Sequence, residues 1–285
     1  MPRTFYVNGD FVPESEAKIS VLDRGFLFAD AVYEVTTVLG GRLIDNAAHL
    51  ARLARSLGEL SMPAPASDEE IVAAQRRLVE DNGIDEGLVY LQVSRGVAER
   101  DFAYPEAPAP SLVMFTQAKD ISGSPAARRG LRVISVSDER WRRRDIKTVQ
   151  LLAPSMAKQA ALDAGVDDAW MVEDGRVTEG TSNNAWIVTG EREIRTRQVG
   201  NEILSGITRA AVMRFAREAD YEVIEAPFTI EQARGAREAF VTSASAFVMP
   251  VVEIDGERLG DGRPGPVTTR LRELYIEAAR ERADL

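Results

Sequence analysis

The sequence of 285 residues contains no cysteine. Disulfide bonds and thiolate chemistry are therefore excluded, and we expect a protein of the reducing cytoplasm. Histidine occurs once, at His49. A histidine-based catalytic triad and a multi-histidine metal site are excluded within one chain, because each needs further partners of this kind. We therefore expect no metal centre.

Long apolar runs and excess positive charge are also missing. No run approaches the roughly 20 apolar residues of a membrane span, and the N-terminus lacks the apolar core of a signal peptide. The formal net charge is −10, whereas binding to nucleic-acid phosphates needs a basic face. We expect neither a membrane nor a nucleic-acid partner. The length suffices for two globular domains.

Lysine is scarce among the 35 basic residues. Arginine keeps its proton near neutral pH, whereas a neutral lysine amine can form a Schiff base. Lys147 is distinguished from the other lysines because it follows Arg142–Arg144 and precedes apolar residues. Neighbouring positive charge and desolvation both favour the neutral amine. Lys147 is the candidate nucleophile, with a chance remnant of a lysine-poor composition as the alternative.

Hydrophobic periodicity and turn signals predict a mixed α/β (α+β) fold of two domains. The first domain, 1–117, is predicted to contain a hairpin at 5–12, a strand at 31–39, helices at 47–60 and from 67, and strands at 88–93 and 112–115. The aperiodic stretch 118–128 is predicted to be a linker. In the second domain, 129–285, we expect strands at 131–136, 169–172, 185–188, 194–196, 221–225 and 238–241, a hairpin at 253–259, and helices at 208–219, 230–235 and 267–282.

Three more patterns supply groups that an anionic cofactor needs. Gly206 precedes a predicted helix, whose first backbone N–H groups favour an anion, although an ordinary helix cap gives the same pattern. The small, hydroxyl-rich turn at 242–245 can close the other side, and Arg52 suits phosphate geometry. Glu179, in the connection 177–184, is either a turn residue or the carboxylate that faces a pyridine nitrogen. An amine, a carboxylate and an anion site together match pyridoxal 5′-phosphate.

At these residues the sequence resembles the fold-type IV (class IV) pyridoxal-phosphate aminotransferases, and among them the bacterial D-amino acid transaminases. The resemblance extends over nearly the whole chain. It is carried by Asp23–Phe26, Asp30–Val35, His49–Leu53, Val93–Gly96, Asp145–Thr148, Val177–Gly180 and Gly206–Arg209. It implies two α/β domains with the cofactor between them, and a homodimer in which a loop of the partner chain covers the site.

The resemblance also implies roles for individual residues. Lys147 would carry the cofactor as a Schiff base and move the substrate proton, and Glu179 would pair with the pyridine nitrogen. Leu204 would pack against the cofactor ring. The phosphate would be held by Arg52, Gly206, Ile207, Thr208, Ala244 and Ser245.

Substrate recognition departs from the family pattern at one position. D-specific members bind the substrate carboxylate with a tyrosine, an arginine and a histidine. Tyr33 and Arg100 match the first two, but Phe102 stands at the histidine position. We expect weaker or relaxed carboxylate binding, room for substrates without that group, and partial neutralisation of Arg100 by Asp101.

The resemblance implies a transaminase that moves an amino group between a D-amino acid, with D-alanine as the first choice, and a 2-oxo acid such as 2-oxoglutarate or pyruvate. Within the same fold, the alternatives are an (R)-selective amine transaminase, a branched-chain L-amino acid aminotransferase and an aminodeoxychorismate lyase, which eliminates rather than transfers. A binding protein that has lost catalysis is the alternative from another class.

Overall fold

The computed structural model describes residues 2–281, which divide into two compact units. Of the described residues, the first unit contains 2–120, the short segment Ile146–Gln150 and 279–281. The second contains Ile121–Asp145 and Leu151–Ala278. The two units are therefore interleaved in sequence. The domain limits 1–117 and 129–285 stay a prediction.

The first unit is built on an antiparallel sheet. Its strands in the described chain are β1 (Thr4–Val7), β2 (Asp10–Pro13), β3 (Ala31–Leu39), β4 (Arg42–Ile44), β5 (Glu86–Ser94) and β6 (Ser111–Ala118). They pair in the order β2-β1-β6-β5-β3-β4. Asn8 and Gly9 have φ values of 51° and 105°, the left-handed conformation that a tight hairpin turn requires. The predicted hairpin is confirmed.

Three helices accompany this sheet: α1 (Arg24–Phe28), α2 (Asn46–Glu59) and α3 (Asp68–Asp81). The apolar stripe of α2, with Leu50, Leu53 and Leu57 buried, packs against β3. Each such side chain contributes roughly 1.5–3 kcal/mol when fully buried. Ser67 and Glu70 form the capping box that starts α3. Both longer helices confirm the sequence prediction.

The second unit contains a larger, mixed sheet. Its strands in the described chain are β7 (Leu131–Ser137), β8 (Asp168–Glu173), β9 (Arg176–Gly180), β10 (Asn184–Val188), β11 (Glu193–Thr196), β12 (Glu222–Glu225), β13 (Glu238–Ser243), β14 (Phe247–Ile254) and β15 (Glu257–Arg258). Their order is β12-β11-β10-β13-β14-β7-β8-β9, and β15 pairs with β14. The pairs β11–β12, β14–β7 and β7–β8 are parallel, and the others are antiparallel.

The remaining helices are α4 (Pro125–Arg129), α5 (Leu152–Asp163), α6 (Ile207–Glu218), α7 (Ile230–Arg234) and α8 (Pro266–Glu281). Among residues 2–281, no helix combines the length and the hydrophobicity that crossing a membrane requires. The core of the second unit is apolar and includes the fully buried rings of Trp170 and Phe228, whose centres lie 5.9 Å apart.

The structure corrects several sequence predictions. The connection predicted at 177–184 is strand β9 in its first half, so Glu179 lies on a strand rather than in a turn. The short helices α1 and α4 were not predicted, because five residues are too few to show helical periodicity. The predicted terminal helix is confirmed up to Glu281. Its predicted last residue, 282, lies outside the described residues.

Candidate active site

Lys147 lies on an extended segment that pairs with the start of β3. The Tyr33 N–H donates to the Lys147 carbonyl at 3.0 Å, and Val32 and Thr148 form an antiparallel bridge. The Lys147 N–H donates to the Ser56 hydroxyl at 3.4 Å. The half-buried amine lies 4.2 Å from the centre of the Tyr33 ring. Strand pairing thus fixes the backbone of the candidate nucleophile and places its amine against an aromatic face.

The arginine run before Lys147 is largely paired with acids of the second unit. Arg143 contacts the Asp145 carboxylate at 2.9 and 3.0 Å. Arg144 contacts Glu173 at 2.7 and 2.8 Å. Two of the three cationic side chains that precede Lys147 are therefore paired with carboxylates, which reduces the net positive charge of the run.

Arg52, the predicted phosphate ligand, lies in a buried cluster of the first unit. Its Nε and Nη2 donate to the two Glu34 oxygens at 2.8 and 2.7 Å. His49 Nδ1 lies 2.7 Å from the same carboxylate. Burial alone would raise the pKa of Glu34, but Arg52 and His49 hold it at about 2. Glu34 therefore stays ionised and fixes the Arg52 side chain to β3.

Glu179 is 4% exposed and accepts hydrogen bonds from three elements of the second unit. The Arg140 guanidinium donates to Oε1 at 2.5 Å, and the Asn184 amide donates to Oε2 at 2.9 Å. The Leu204 backbone N–H lies 3.3 and 3.2 Å from the two oxygens. Burial raises the pKa of Glu179, while Arg140 and the Leu204 N–H oppose that change. The Glu179 carboxylate is therefore a hydrogen-bond acceptor whose ionisation depends on these neighbours.

Arg140 is itself held in place by Asp138. The guanidinium Nε and Nη2 contact the two Asp138 oxygens at 2.9 and 2.8 Å. Burial alone would lower the pKa of Arg140, but the two carboxylates raise it, so it remains a cation. Thr178 donates its hydroxyl to Asp138 at 2.6 Å. The cation beside Glu179 thus has a fixed orientation.

Gly206 is the N-cap of α6, and as glycine it has no side chain to cap the helix. The first backbone N–H groups of α6 therefore have no side-chain acceptor from the cap, which suits an anion. A Cβ on Gly206 would lie 2.0 Å from the Asn184 Oδ1. Glycine is needed here because Asn184, which also donates to Glu179, occupies that space. Thr208, in the first turn, is 2% exposed.

The turn that contains Ala244 and Ser245 follows β13. Asn184 pairs with Thr242 across β10 and β13, and the Asn184 side chain donates to the Leu204 carbonyl at 2.9 Å. Residues 204–206 and the 242–245 turn therefore share one end of the second sheet. The two predicted sides of a phosphate site are brought together by this topology.

The segment around Arg100 lies on the first unit. Phe102 is 79% exposed. The Asp101 carboxylate accepts a hydrogen bond from the Ala103 N–H at 3.0 Å. Within residues 2–281 it forms no ion pair with Arg100, so the expected neutralisation of Arg100 is not found. Tyr33 stacks on Tyr90 with ring centres 5.6 Å apart.

The family model for amino-transferase class IV matches residues 31–254, which include nearly all of the residues described above. The chain belongs to the class IV aminotransferases. The matched region covers more than half of the chain, and the similarity to individual proteins extends further.

Curated members of this family are similar to the chain over nearly its full length. The D-alanine aminotransferase of Staphylococcus aureus (strain MSSA476) is 38% identical over 277 residues, which cover 96% of this chain and 98% of that protein. The D-alanine aminotransferase of Bacillus licheniformis is 36% identical over 265 residues, with 93% of each chain covered.

Solved structures share the fold of this class IV aminotransferase. The branched-chain amino acid aminotransferase of Escherichia coli has a TM-score of 0.92, but at 22% identity it shows the fold alone. The branched-chain enzyme of T.th., complexed with N-(5′-phosphopyridoxyl)-L-glutamate, has a TM-score of 0.90 and 30% identity. That match covers 99% of this chain and 95% of the other. The predicted two-domain fold-type IV architecture is confirmed.

Class IV aminotransferases use pyridoxal 5′-phosphate, and this is the cofactor of the chain. The residues described above supply groups that fit this cofactor. Glu179 is a buried carboxylate beside a cation, Gly206 leaves the start of α6 open to an anion, and Lys147 supplies an amine. Within residues 2–281, no group of three or more His, Asp or Glu side chains is arranged to hold a metal ion.

Sequence reasoning missed the residues that support the predicted ones. Arg140 and Asn184 donate to Glu179, Asp138 holds Arg140, and Glu34 holds Arg52. Arg140 adjoins the arginine run, but nothing in its spacing indicates a carboxylate 39 residues later. These partners are recognisable only when the sheet brings their strands together.

Proposed function

We propose that this class IV aminotransferase transfers an amino group between a D-amino acid, with D-alanine preferred, and a 2-oxo acid such as 2-oxoglutarate or pyruvate. The observation that carries the proposal is the similarity to curated D-alanine aminotransferases, at 35–38% identity over most of the chain. The branched-chain enzymes among the structural neighbours are less similar in sequence, at 22% and 30%.

In this proposal Lys147 binds the cofactor through its amine and moves the substrate proton. The bound cofactor supplies an electron sink for the carbanion that proton removal creates. Glu179 accepts a hydrogen bond from the pyridine nitrogen, which keeps that nitrogen protonated. Leu204, whose N–H contacts Glu179, packs against the ring.

The proposed phosphate ligands combine charge with backbone donors. Arg52 supplies a guanidinium oriented by Glu34. The first turn of α6, at Gly206, Ile207 and Thr208, supplies N–H groups, and Ala244 and Ser245 lie at the same end of the second sheet. Helix N-termini and planar guanidinium groups are both suited to phosphate.

The substrate carboxylate is proposed to bind Tyr33 and Arg100. Phe102, which replaces the family histidine, supplies an apolar surface instead of a hydrogen-bond donor. The missing donor favours (R)-amines as a second substrate class, because such amines have no carboxylate to bind.

We further propose a homodimer in which Arg100 and Phe102 of one protomer serve the site of its partner. Exposed apolar side chains at 19–26 and 97–104 support this arrangement, including Val21 at 72% and Phe26 at 69%, since apolar patches of this kind mark interaction sites. The absence of cysteine supports a cytoplasmic location. The net charge of −10 argues against a nucleic-acid partner.

The proposal is tested with the purified, cofactor-loaded enzyme. D-alanine, L-leucine and (R)-1-phenylethylamine are mixed with it separately, and the loss of the visible cofactor absorbance is followed. We expect D-alanine to react fastest and (R)-1-phenylethylamine measurably. A faster reaction with L-leucine would overturn the D-amino acid assignment. A folded Lys147→Ala protein that borohydride still links covalently to the cofactor would refute the role of Lys147.

A further inference from the structure

Arg100 has an unusual environment for an arginine proposed to bind substrate. Its guanidinium carbon lies 5.5 Å from the centre of the Phe28 ring and 5.7 Å from that of Phe102. The two rings are 5.6 Å apart and tilted by 54°. Within residues 2–281, no carboxylate lies within ion-pair distance of Arg100. The charge is therefore held between aromatic rings and stays available for an external anion.

The backbone that carries Arg100 and Phe102 is fixed by a buried cation. Arg24 is 3% exposed and donates through Nη1 to the carbonyls of Asp101 and Ala103, at 2.6 and 3.2 Å. Its Nε donates to Asp30 at 2.8 Å. Two carbonyls held by one guanidinium set the path of residues 101–103, so the position of Arg100 does not depend on its own side-chain contacts alone.

A second buried arginine holds the end of this segment. Arg95 is 1% exposed and contacts both Asp30 oxygens, at 2.7 and 3.0 Å. Its guanidinium carbon lies 3.6 Å from the centre of the Tyr104 ring. Asp30 therefore joins Arg95 to Arg24, and the segment 100–104 is fixed at its middle and at its end.

Phe28 is held by helix α1 and by the same Arg24 that fixes the segment. It is the last residue of α1, whose N-cap Asp23 accepts a hydrogen bond from the Gly25 N–H at 2.8 Å. The Arg24 guanidinium carbon lies 4.6 Å from the centre of the Phe28 ring. On strand β2 of the same unit, the Arg77 guanidinium carbon lies 3.9 Å from the centre of the Phe11 ring. Phe11 therefore provides a matched control, because its ring also faces an arginine but lies outside the proposed site and the proposed dimer surface.

We infer that Phe28 is a positioning residue for carboxylate recognition: with Phe102 it forms an aromatic seat that keeps Arg100 oriented and unpaired. The inference rests on the proposed function, in which Arg100 binds the substrate carboxylate. An arginine over aromatic faces is attracted by the rings without losing its charge. Phe102 thereby has a different role from the family histidine at this position. The histidine binds the substrate carboxylate, whereas Phe102 orients Arg100.

The seat should affect amino acids and amines differently. Loss of a correctly placed Arg100 weakens binding of a carboxylate in the ground state and the transition state alike, which raises KM and leaves kcat nearly unchanged. A substrate without a carboxylate does not use the arginine. A general disturbance of folding would instead lower kcat for both kinds of substrate.

The test compares Phe28→Leu, Phe28→Tyr and the control Phe11→Leu in the cofactor-loaded enzyme. Leucine keeps the apolar bulk but removes the π face, whereas tyrosine keeps the ring. For Phe28→Leu we expect the KM for D-alanine to rise about two- to fivefold, the range that one exposed cation–π contact supplies. The KM for (R)-1-phenylethylamine and both kcat values should change less than about twofold. Phe28→Tyr and Phe11→Leu should resemble the wild type.

An equal KM increase for both substrates, or the same increase in Phe11→Leu, would overturn the inference. If Phe28→Leu does not fold, Phe28→Met, which also keeps apolar bulk without the π face, provides the same comparison. An unchanged D-alanine KM in that variant would also overturn it. A wild-type enzyme that does not react with D-alanine at all refutes the proposed function, which is a different outcome from a reactive enzyme insensitive to Phe28.

Discussion

At the residue scale, a buried carboxylate can hold a positive ring nitrogen only while it stays ionised. Burial favours the neutral acid. Around Glu179 the opposing influence comes from the Arg140 guanidinium at 2.5 Å, which Asp138 orients in turn. Three groups therefore act as a unit: the Glu179 carboxylate, the Arg140 guanidinium between the two carboxylates, and the Asn184 amide.

Replacement of Arg140 by methionine tests this dependence. Without the cation, the pKa of Glu179 rises further above its usual value, so less of the carboxylate is ionised at pH 7. We expect the half-reaction with D-alanine to slow roughly 10- to 100-fold at pH 7, since a hydrogen bond to a charged group is lost. The rate should recover partly as the pH is raised through the new pKa.

The control for this prediction is Arg142→Met, which removes an exposed arginine two residues away. Its pH–rate profile should match the wild type. A flat loss of rate in Arg140→Met across pH 6 to 9 would contradict a role through Glu179 ionisation.

Single residues with distinctive chemistry were predictable from the sequence, whereas their supporting partners were not. Lys147 and Glu179 were selected because few side-chain types can do their chemistry. Asp138 and Arg140 are ordinary charged residues, and only the pairing of β7, β8 and β9 brings them to Glu179. The pairing of Arg144 with Glu173 was not predictable, because the two residues are 29 positions apart in the sequence.

At the element scale, β3 presents different chemistry on its two faces. Neighbouring residues of a strand point to opposite sides. The Tyr33 ring meets the Lys147 amine, and the Glu34 carboxylate meets His49 and Arg52 on α2. The strand thus anchors both the candidate nucleophile and a candidate phosphate ligand, and the contact between β3 and α2 includes a buried charge cluster.

This cluster predicts acid sensitivity. The folded-state pKa of Glu34 is about 2, below its ordinary 4.5, so its contribution is present above about pH 4.5 and is lost as the pH falls toward 2. The difference corresponds to roughly 3 kcal/mol of unfolding free energy. Glu34→Gln should be less stable than the wild type at pH 7 and should lose less stability between pH 4.5 and pH 2.5.

Urea unfolding at a series of pH values measures the effect. The control is Glu59→Gln, which removes a carboxylate from a surface ion pair with Arg55 on helix α2. This variant should keep the wild-type pH dependence. Parallel pH curves for Glu34→Gln and the wild type would show that Glu34 does not carry the acid-labile stability.

Elements with strong local signals were predictable, and short ones were not. The hairpin at Asn8–Gly9, the strand β3 and the capped helix α3 each combine periodicity with a turn or cap signal. Strand β9 reads Arg-Val-Thr-Glu-Gly, with only one large apolar side chain, so it was interpreted as a connection. Its strand pairing comes from tertiary contacts rather than from local preference.

At the scale of the whole molecule, the proposed dimer gives a simple prediction. The wild type should have a mass of about 63 kDa in solution, twice the 31.3 kDa of the chain. Val21→Asp should shift the population toward monomer at micromolar concentration, because it introduces a charge where an apolar patch would be buried. Light scattering coupled to size-exclusion chromatography measures the mass.

Leu162→Asp, at the end of α5 and 52% exposed in the wild type, is the control and should remain dimeric. A wild-type protein that is monomeric under the same conditions would reject the dimer.

The family, the fold and the cofactor were predictable at the scale of the whole molecule, because the motifs that indicate them are spread along the chain. The interleaving of the two units was not, since only spatial contacts assign Ile146–Gln150 to the first unit.

This interleaving has a consequence for synthesis. The segment with Lys147 pairs with the start of β3, yet residues 121–145 of the second unit precede it in the chain. The first unit is therefore incomplete when its sheet has left the ribosome, and a fragment that ends at the predicted linker would lack the lysine. The Lys147 amine joins its unit only after part of the other unit has been made, and neither unit is encoded by one uninterrupted stretch of the sequence.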